Sequence, residues 1–130
     1  MSKDFILELQ AKLKKKKVID DEVIEYIDIE YLNKSERIFD VIRKGITKFI
    51  YKPSNRIVWV ALGENCEHII YPKLYCSCQD FYKNVVVKRK QNFCKHILAQ
   101  VICEELNNFH LFELEDVEFK NLISDLKLKF

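Results

Sequence analysis

Residues 75–99 open with Tyr75-Cys76-Ser77-Cys78-Gln79-Asp80-Phe81 and close with Cys94-Lys95-His96-Ile97-Leu98-Ala99. Two donor pairs, each with one residue between its members, are thus set fifteen residues apart. Zn²⁺ in a structural site takes four ligands in a tetrahedron, and three cysteines with one histidine are among its usual sets. The one-residue gap is tighter than that of the common fingers, so each pair needs a strand end or a tight turn. Free buried cysteines can act as small hydrophobes, but that role does not explain the paired spacing. No C-x-x-C redox motif occurs, and a nucleophilic Cys94 with His96 as base has no visible third group to orient it. Cys66 and His68 form another C-x-H pair ten residues before Cys76. On a strand, i and i+2 share a face, so this pair is an alternative to Cys94 and His96. Cys103 and His110 have no partner at ligand spacing.

Both segments resemble the SWIM zinc finger, whose halves read Tyr-Cys-x-Cys-x-Asp-Phe and Cys-Lys-His-hydrophobic-Leu-Ala; the likeness covers about residues 57–106. The resemblance implies one structural zinc on Cys76, Cys78, Cys94 and His96, a short β-meander before the first pair and a helix starting at the second. SWIM domains occur in transposases, chromatin-remodelling and ubiquitin-ligase proteins, and in small stand-alone proteins that partner paralogues of RecA-type recombinases. The present architecture is most similar to the last group. That implies a non-enzymatic adaptor in homologous recombination and DNA repair, with a RecA-family ATPase paralogue as partner and single-stranded DNA as a further contact. The competing reading is a self-sufficient DNA-binding regulator or a protein derived from a mobile element. A structural subunit without nucleic-acid contact is a third.

A chain of 130 residues with 48% hydrophobic and 12% aromatic content can bury a core in one domain. Its 22 basic and 20 acidic residues leave a formal charge of +2, which alone implies no polyanion partner. No apolar run reaches the 18 or so residues of a membrane span, and an amphipathic pattern stands where a secretory apolar stretch would be. An intracellular chain is therefore expected, in cytoplasm, nucleus or nucleoid, where clustered cysteines bind metal more readily than they form disulfides. With two glycines, neither a phosphate-binding G-x-x-x-x-G-K-[ST] loop nor a G-x-G-x-x-G turn can be built, so no nucleotide binding and no enzymatic activity are expected.

The expected fold class is α+β. Residues 1–45 read as an N-terminal helical segment, 46–108 as the meander with its finger and 109–130 as a C-terminal helical tail, all in one compact unit. Phe5, Ile6, Leu9 and Leu13 have helical rhythm, with lysines 14–17 at the negative dipole end. Asp20 reads as the N-cap of a second helix burying Val23, Ile24, Ile27 and Tyr31. A third starts near Ser35, buries Ile38, Phe39 and Ile42, and ends at Gly45 in a left-handed cap. Strands follow at about 48–51, 57–62 and 66–71, turned at Lys52-Pro53-Ser54-Asn55-Arg56 and Gly63-Glu64-Asn65, and the continuously apolar middle strand should be covered on both faces. Ile97, Leu98, Val101, Ile102 and Leu106 place a helix back on this meander. In the tail, from 116 to 126, Phe119, Leu122, Ile123 and Leu126 make an apolar stripe.

Between the donor pairs lie Tyr82, Lys83, Lys88, Arg89 and Lys90, with Lys95 at the helix start. Cations there can neutralise phosphates and Tyr82 can stack on an unpaired base; equally, they can offset the negative charge of a zinc held by three thiolates. Val85-Val86-Val87 suggests a short strand or a protein contact. Asp80 is either a carboxylate that orients a metal ligand or a surface residue.

Overall fold

The computed structural model describes residues 4–31, 34–63 and 67–119. Helices α1 (Phe5–Lys16), α2 (Asp21–Glu30) and α3 (Ser35–Lys44) precede strands β1 (Ile46–Lys52), β2 (Arg56–Leu62), β3 (Glu67–Tyr71) and β4 (Tyr75–Cys76). Helix α4 (Lys95–Glu105) and strand β5 (His110–Glu115) complete the described residues.

Local chemistry sets the helix boundaries. The Asp20 carboxylate accepts the Val23 N–H at 3.0 Å, the N-cap its position implies. Lys16 at the end of α1 pairs with Asp20 and Glu22, joining α1 to α2. At the end of α3, Gly45 has φ +114° and ψ 141°, so the expected left-handed cap is replaced by an extended positive-φ conformation open essentially to glycine alone. Inside α3, Ile38 and Val41 are buried, while Phe39 and Ile42 are half-buried, so the apolar stripe sits closer to Val41 than the sequence periodicity implied.

The sheet order is β4-β3-β2-β1-β5, antiparallel except for β1 and β5, which run parallel with Thr47 opposite His110 and Lys52 opposite Glu115. Strand β2 lies in the middle, and Val58, Trp59, Val60 and Ala61 are all buried. Trp59 and Ala61 face the helices with Ile46, Ile70 and Cys76, whereas Val58 and Val60 join Tyr51 and Ile69 on the other face, flanked by Phe49, Leu114 and Phe119. Both faces of β2 are thus covered, as its unbroken apolar run requires.

Residues 110–115 correct the expectation of a tail that is helical from residue 109. Phe112 and Leu114 alternate with Glu113 and Glu115, the period-2 pattern of a strand, and Phe112 stacks on Phe49 at 6.0 Å. Asp116 then ties this strand to the β1–β2 turn, accepting the Ser54 hydroxyl at 2.7 Å and its N–H at 3.2 Å. Helical backbone starts at residue 116 and is described to 119; Leu122, Ile123 and Leu126 lie outside the described residues.

Helix α4 occupies the centre. Ile97, Leu98, Ala99, Gln100, Val101, Ile102 and Cys103 are all at most 1% exposed, so every face of this helix is covered. It packs against the sheet and against α1 and α3. A second residue fixes how the sheet meets α3. Among the described residues, a Cβ on Gly45 would meet nothing closer than Leu62 Cδ1 at 3.9 Å, so backbone strain is what opposes alanine there. Gly45→Ala is expected to cost about 1–3 kcal/mol, read from urea unfolding; an unchanged midpoint would contradict the strained geometry.

Candidate metal centre

Each donor pair is set by a different piece of backbone. In the first, Cys76 is the cross-strand partner of Ile70. Ser77 then clamps the next position twice, its N–H donating to Ile69 O at 3.0 Å and its Oγ accepting the Ile69 N–H at 2.9 Å. These two hydrogen bonds extend the β3 edge past β4, so the one-residue gap of the C-x-C pair leaves Cys76 and Cys78 on the same side. The Phe81 N–H donates to Cys78 Sγ at 3.3 Å. In the second pair, Cys94 is the extended N-cap of α4 and His96 lies in its first turn.

The four donor atoms of Cys76, Cys78, Cys94 and His96 lie within 4.8 Å of one another. A tetrahedron with spokes of about 2.3 Å has edges of about 3.8 Å, so the cluster has the size one zinc ion spans. Its chemistry demands a cation. Hydrogen bonds from Cys76 and Cys94 hold Cys78 below the usual thiol range, Cys76 is pushed up by the proton it shares with Cys78, and burial pushes Cys94 up to about 12. Three buried thiols therefore cannot all ionise by themselves. The buried His96 also has an Nδ1 without a hydrogen-bond partner, a state that costs about 1–3 kcal/mol. Bound zinc would stabilise all three thiolates and take one imidazole nitrogen. The donors are 0–6% exposed, which marks a closed structural site and leaves no open position for a substrate.

His68, the described half of the alternative C-x-H pair, lies on β3 opposite Ala61. Its ring centroid is 4.6 Å from that of His96, and it stands outside the four-donor cluster. Burial lowers its basicity, with His96 adding to the effect. Cys66 lies outside the described residues. Cys103 is buried in the middle of α4, away from the cluster, and burial pushes its thiol up to about 11.

The segment between the pairs is folded back on itself. Residues Phe81–Val87 form a π-helical stretch, continued by Lys88 N–H donating to Lys83 O at 2.9 Å; Val85-Val86-Val87 is therefore helical and not the short strand suggested by its β-branched run. Asp80 explains why. Its carboxylate accepts Asn84 Nδ2 at 2.6 Å and Gln91 Nε2 at 3.0 Å, drawing together the two ends of the segment. Gln91 is buried and also bonds Tyr31, whose hydroxyl is pushed up by burial and by the nearby Asp80 charge. Sequence inspection gave no role to Gln91 or Tyr31 here, because an isolated glutamine carries no spacing signal. Tyr82, Lys83, Lys88, Arg89 and Lys90 are exposed on this segment, and Lys95 is half-buried at the start of α4.

A buried Cys₃His cluster that joins a strand edge to a helix start defines a zinc-finger protein. A curated Dictyostelium discoideum protein named zinc finger SWIM domain-containing protein 7 homolog is 30% identical over 84 residues, 63% of this chain and 54% of that protein. The mouse zinc finger SWIM domain-containing protein 7 is 25% identical over 126 residues, covering 94% of this chain and 82% of the relative. The human one is 23% identical over 124 residues, covering 92% and 87%. The chain thus spans about half the length of the Dictyostelium relative and most of the two mammalian ones. No family model and no solved structure matches. The chain is thus similar to SWIM-type zinc finger proteins.

Structural zinc sites in small fingers contribute about 10–16 kcal/mol at neutral pH, comparable with the 5–15 kcal/mol or so of a whole domain. Cys94→Ser is therefore expected to bring zinc, measured by inductively coupled plasma mass spectrometry, from one per chain to none and to abolish the cooperative melting of residues 57–106. Cys103→Ser is expected to keep one zinc. A Cys94→Ser protein with one zinc and the parental melting temperature would take Cys94 off the ligand list.

Proposed function

We propose that this chain is a non-enzymatic adaptor in which Cys76, Cys78, Cys94 and His96 hold one structural zinc and the braced surface binds a RecA-family recombinase paralogue in homologous recombination and DNA repair. The closure of the donor cluster carries this reading. With every donor buried, zinc fixes shape and performs no hydrolysis, so the chain acts through its surface. That surface has apolar side chains next to the brace: Leu74 is 78% exposed at the β3–β4 turn, between Tyr71 and Tyr75, which are also exposed. Such clustering suits a protein contact. The resemblance of the two Cys/His segments to small stand-alone SWIM proteins supplies the class of partner, and the names of the relatives agree with the finger. No helix among the described residues is long and apolar enough to cross a membrane.

A second reading, direct DNA binding as a regulator, is favoured by the exposed Lys83, Lys88, Arg89 and Lys90 beside an exposed Tyr82. Affinity purification of the tagged chain from its native cell, with nuclease treatment and mass spectrometry, separates the two. A RecA-family ATPase recovered near one-to-one after nuclease is the expected result, and charge reversal at Lys88, Arg89 and Lys90 is expected to leave it in place. Recovery of nucleic acid alone, lost on that charge reversal, would replace the adaptor by the DNA-binding regulator.

A further inference from the structure

The two edges of the sheet differ in kind. Strand β4 closes one end with two residues, whereas β5 closes the other with six. Strand β1 pairs with one side of β5 along its whole length, and among the described residues no strand pairs with its outer side. Such an edge presents a row of N–H and C=O groups to another chain. Natural edges are guarded by shortness, proline, lysine or a bulge; β5 contains neither proline nor lysine and keeps an unbroken register with β1. Glu113 and Glu115 share one of its faces, and Phe112 and Leu114 the other. Phe112 is 53% exposed although it stacks on Phe49, and Leu111 is 56% exposed. Among the described residues no ion pair involves Glu113, Glu115 or Glu118. Lys52, whose backbone lies opposite Glu115, donates its ammonium to Asn55 in the β1–β2 turn.

We propose that the outer side of β5 is a docking edge for an extended segment of a partner protein in which lysine or arginine alternates with apolar residues. Main-chain hydrogen bonds give this mode of binding its affinity, and alternate side chains give it specificity. Side chains opposite one another on neighbouring strands share a face. The basic residues of the segment therefore meet Glu113 and Glu115, while its apolar residues extend the row begun by Phe49 and Phe112. Charge complementarity selects this occupant. The β5 strand of a second copy, paired antiparallel, would set its own glutamates on the same face as these, and like charges there oppose pairing. Glu118, exposed just beyond the strand, adds to the same negative field. Because β4 and β5 lie at opposite ends of the sheet, this edge is separate from the exposed Tyr71, Leu74 and Tyr75 beside the brace. The inference goes beyond the adaptor reading and does not rest on a recombinase as partner.

Anisotropy of a short fluorescein-labelled peptide of alternating valine and lysine, titrated with the zinc-loaded full chain, tests the edge. The peptide is expected to bind, and one of the same composition with its valines and lysines in two blocks is expected to bind about tenfold more weakly. Glu113→Lys/Glu115→Lys is expected to lose the valine–lysine peptide and to gain one of alternating valine and glutamate. Equal binding of the blocked peptide would reduce the effect to net charge and overturn the edge. A parent chain that does not bind the alternating peptide would overturn the partner, and its sedimentation as a dimer would then assign the edge to a second copy. If the double variant does not fold, amide shifts of the parent chain during the peptide titration decide. Shifts at residues 110–115 are expected, and shifts confined to α3 or to residues 82–90 would remove β5 from the binding surface.

Discussion

Mutual repulsion among three buried thiolates is the constraint around which the molecule is organised. Cys76, Cys78 and Cys94 are at most 5% exposed, and in that setting water cannot disperse a second or third negative charge. A divalent ion converts the repulsion into a bond between two elements that have little else to join them. Strand β4 is two residues long, too short to hold the sheet edge by its ladder. Helix α4, in contrast, is covered on every face, so its position fixes α1, α3 and the sheet together. Coordination at the start of α4 thus couples the weakest strand to the best-buried helix.

Polar side chains support that coupling one layer out. Ser77 holds the C-x-C pair against Ile69 by two hydrogen bonds, and Asp80 closes the inter-pair segment by bridging Asn84 and Gln91. The SWIM likeness drew attention to Asp80 as part of a motif; its chemical work is to shorten a fifteen-residue connection into a folded unit. Charge follows the same division. Cations gather where the finger meets α3, while acids gather at the far edge of the sheet, in Glu113, Glu115, Asp116 and Glu118.

Spacing made the paired donors legible, because tetrahedral coordination imposes a local pattern that sequence preserves, but it left Cys66 and His68 as an alternative, and the SWIM resemblance is what implied Cys76, Cys78, Cys94 and His96. The three leading helices and the meander were equally readable, since amphipathic periodicity and the Asp20 cap are local. What escaped reading depends on contacts distant in sequence. Strand β5 pairs in parallel with β1 across more than sixty positions, and a helical tail from residue 109 was expected although Phe112 and Leu114 alternate with Glu113 and Glu115. The π-helical form of residues 81–87 is dictated by Asp80 and Gln91, not by the valine run. Arg37 and Lys44 sit far from Lys95 in the chain, and packing of α3 against α4 brings them to one place.

Parallel pairing of the first and last described strands also orders the events of folding. A parallel neighbour cannot be reached by a tight turn and needs a crossover, and here the crossover is β2 to β4, the inter-pair segment and α4. Strand β5 therefore reaches the edge of β1 only by way of α4, and α4 begins at the donor cluster. Loop-closure entropy is met first by the local hairpins and last by this long-range pair. A chain emerging from the ribosome would carry β1 as an open edge throughout synthesis of the finger, until β5 itself is made.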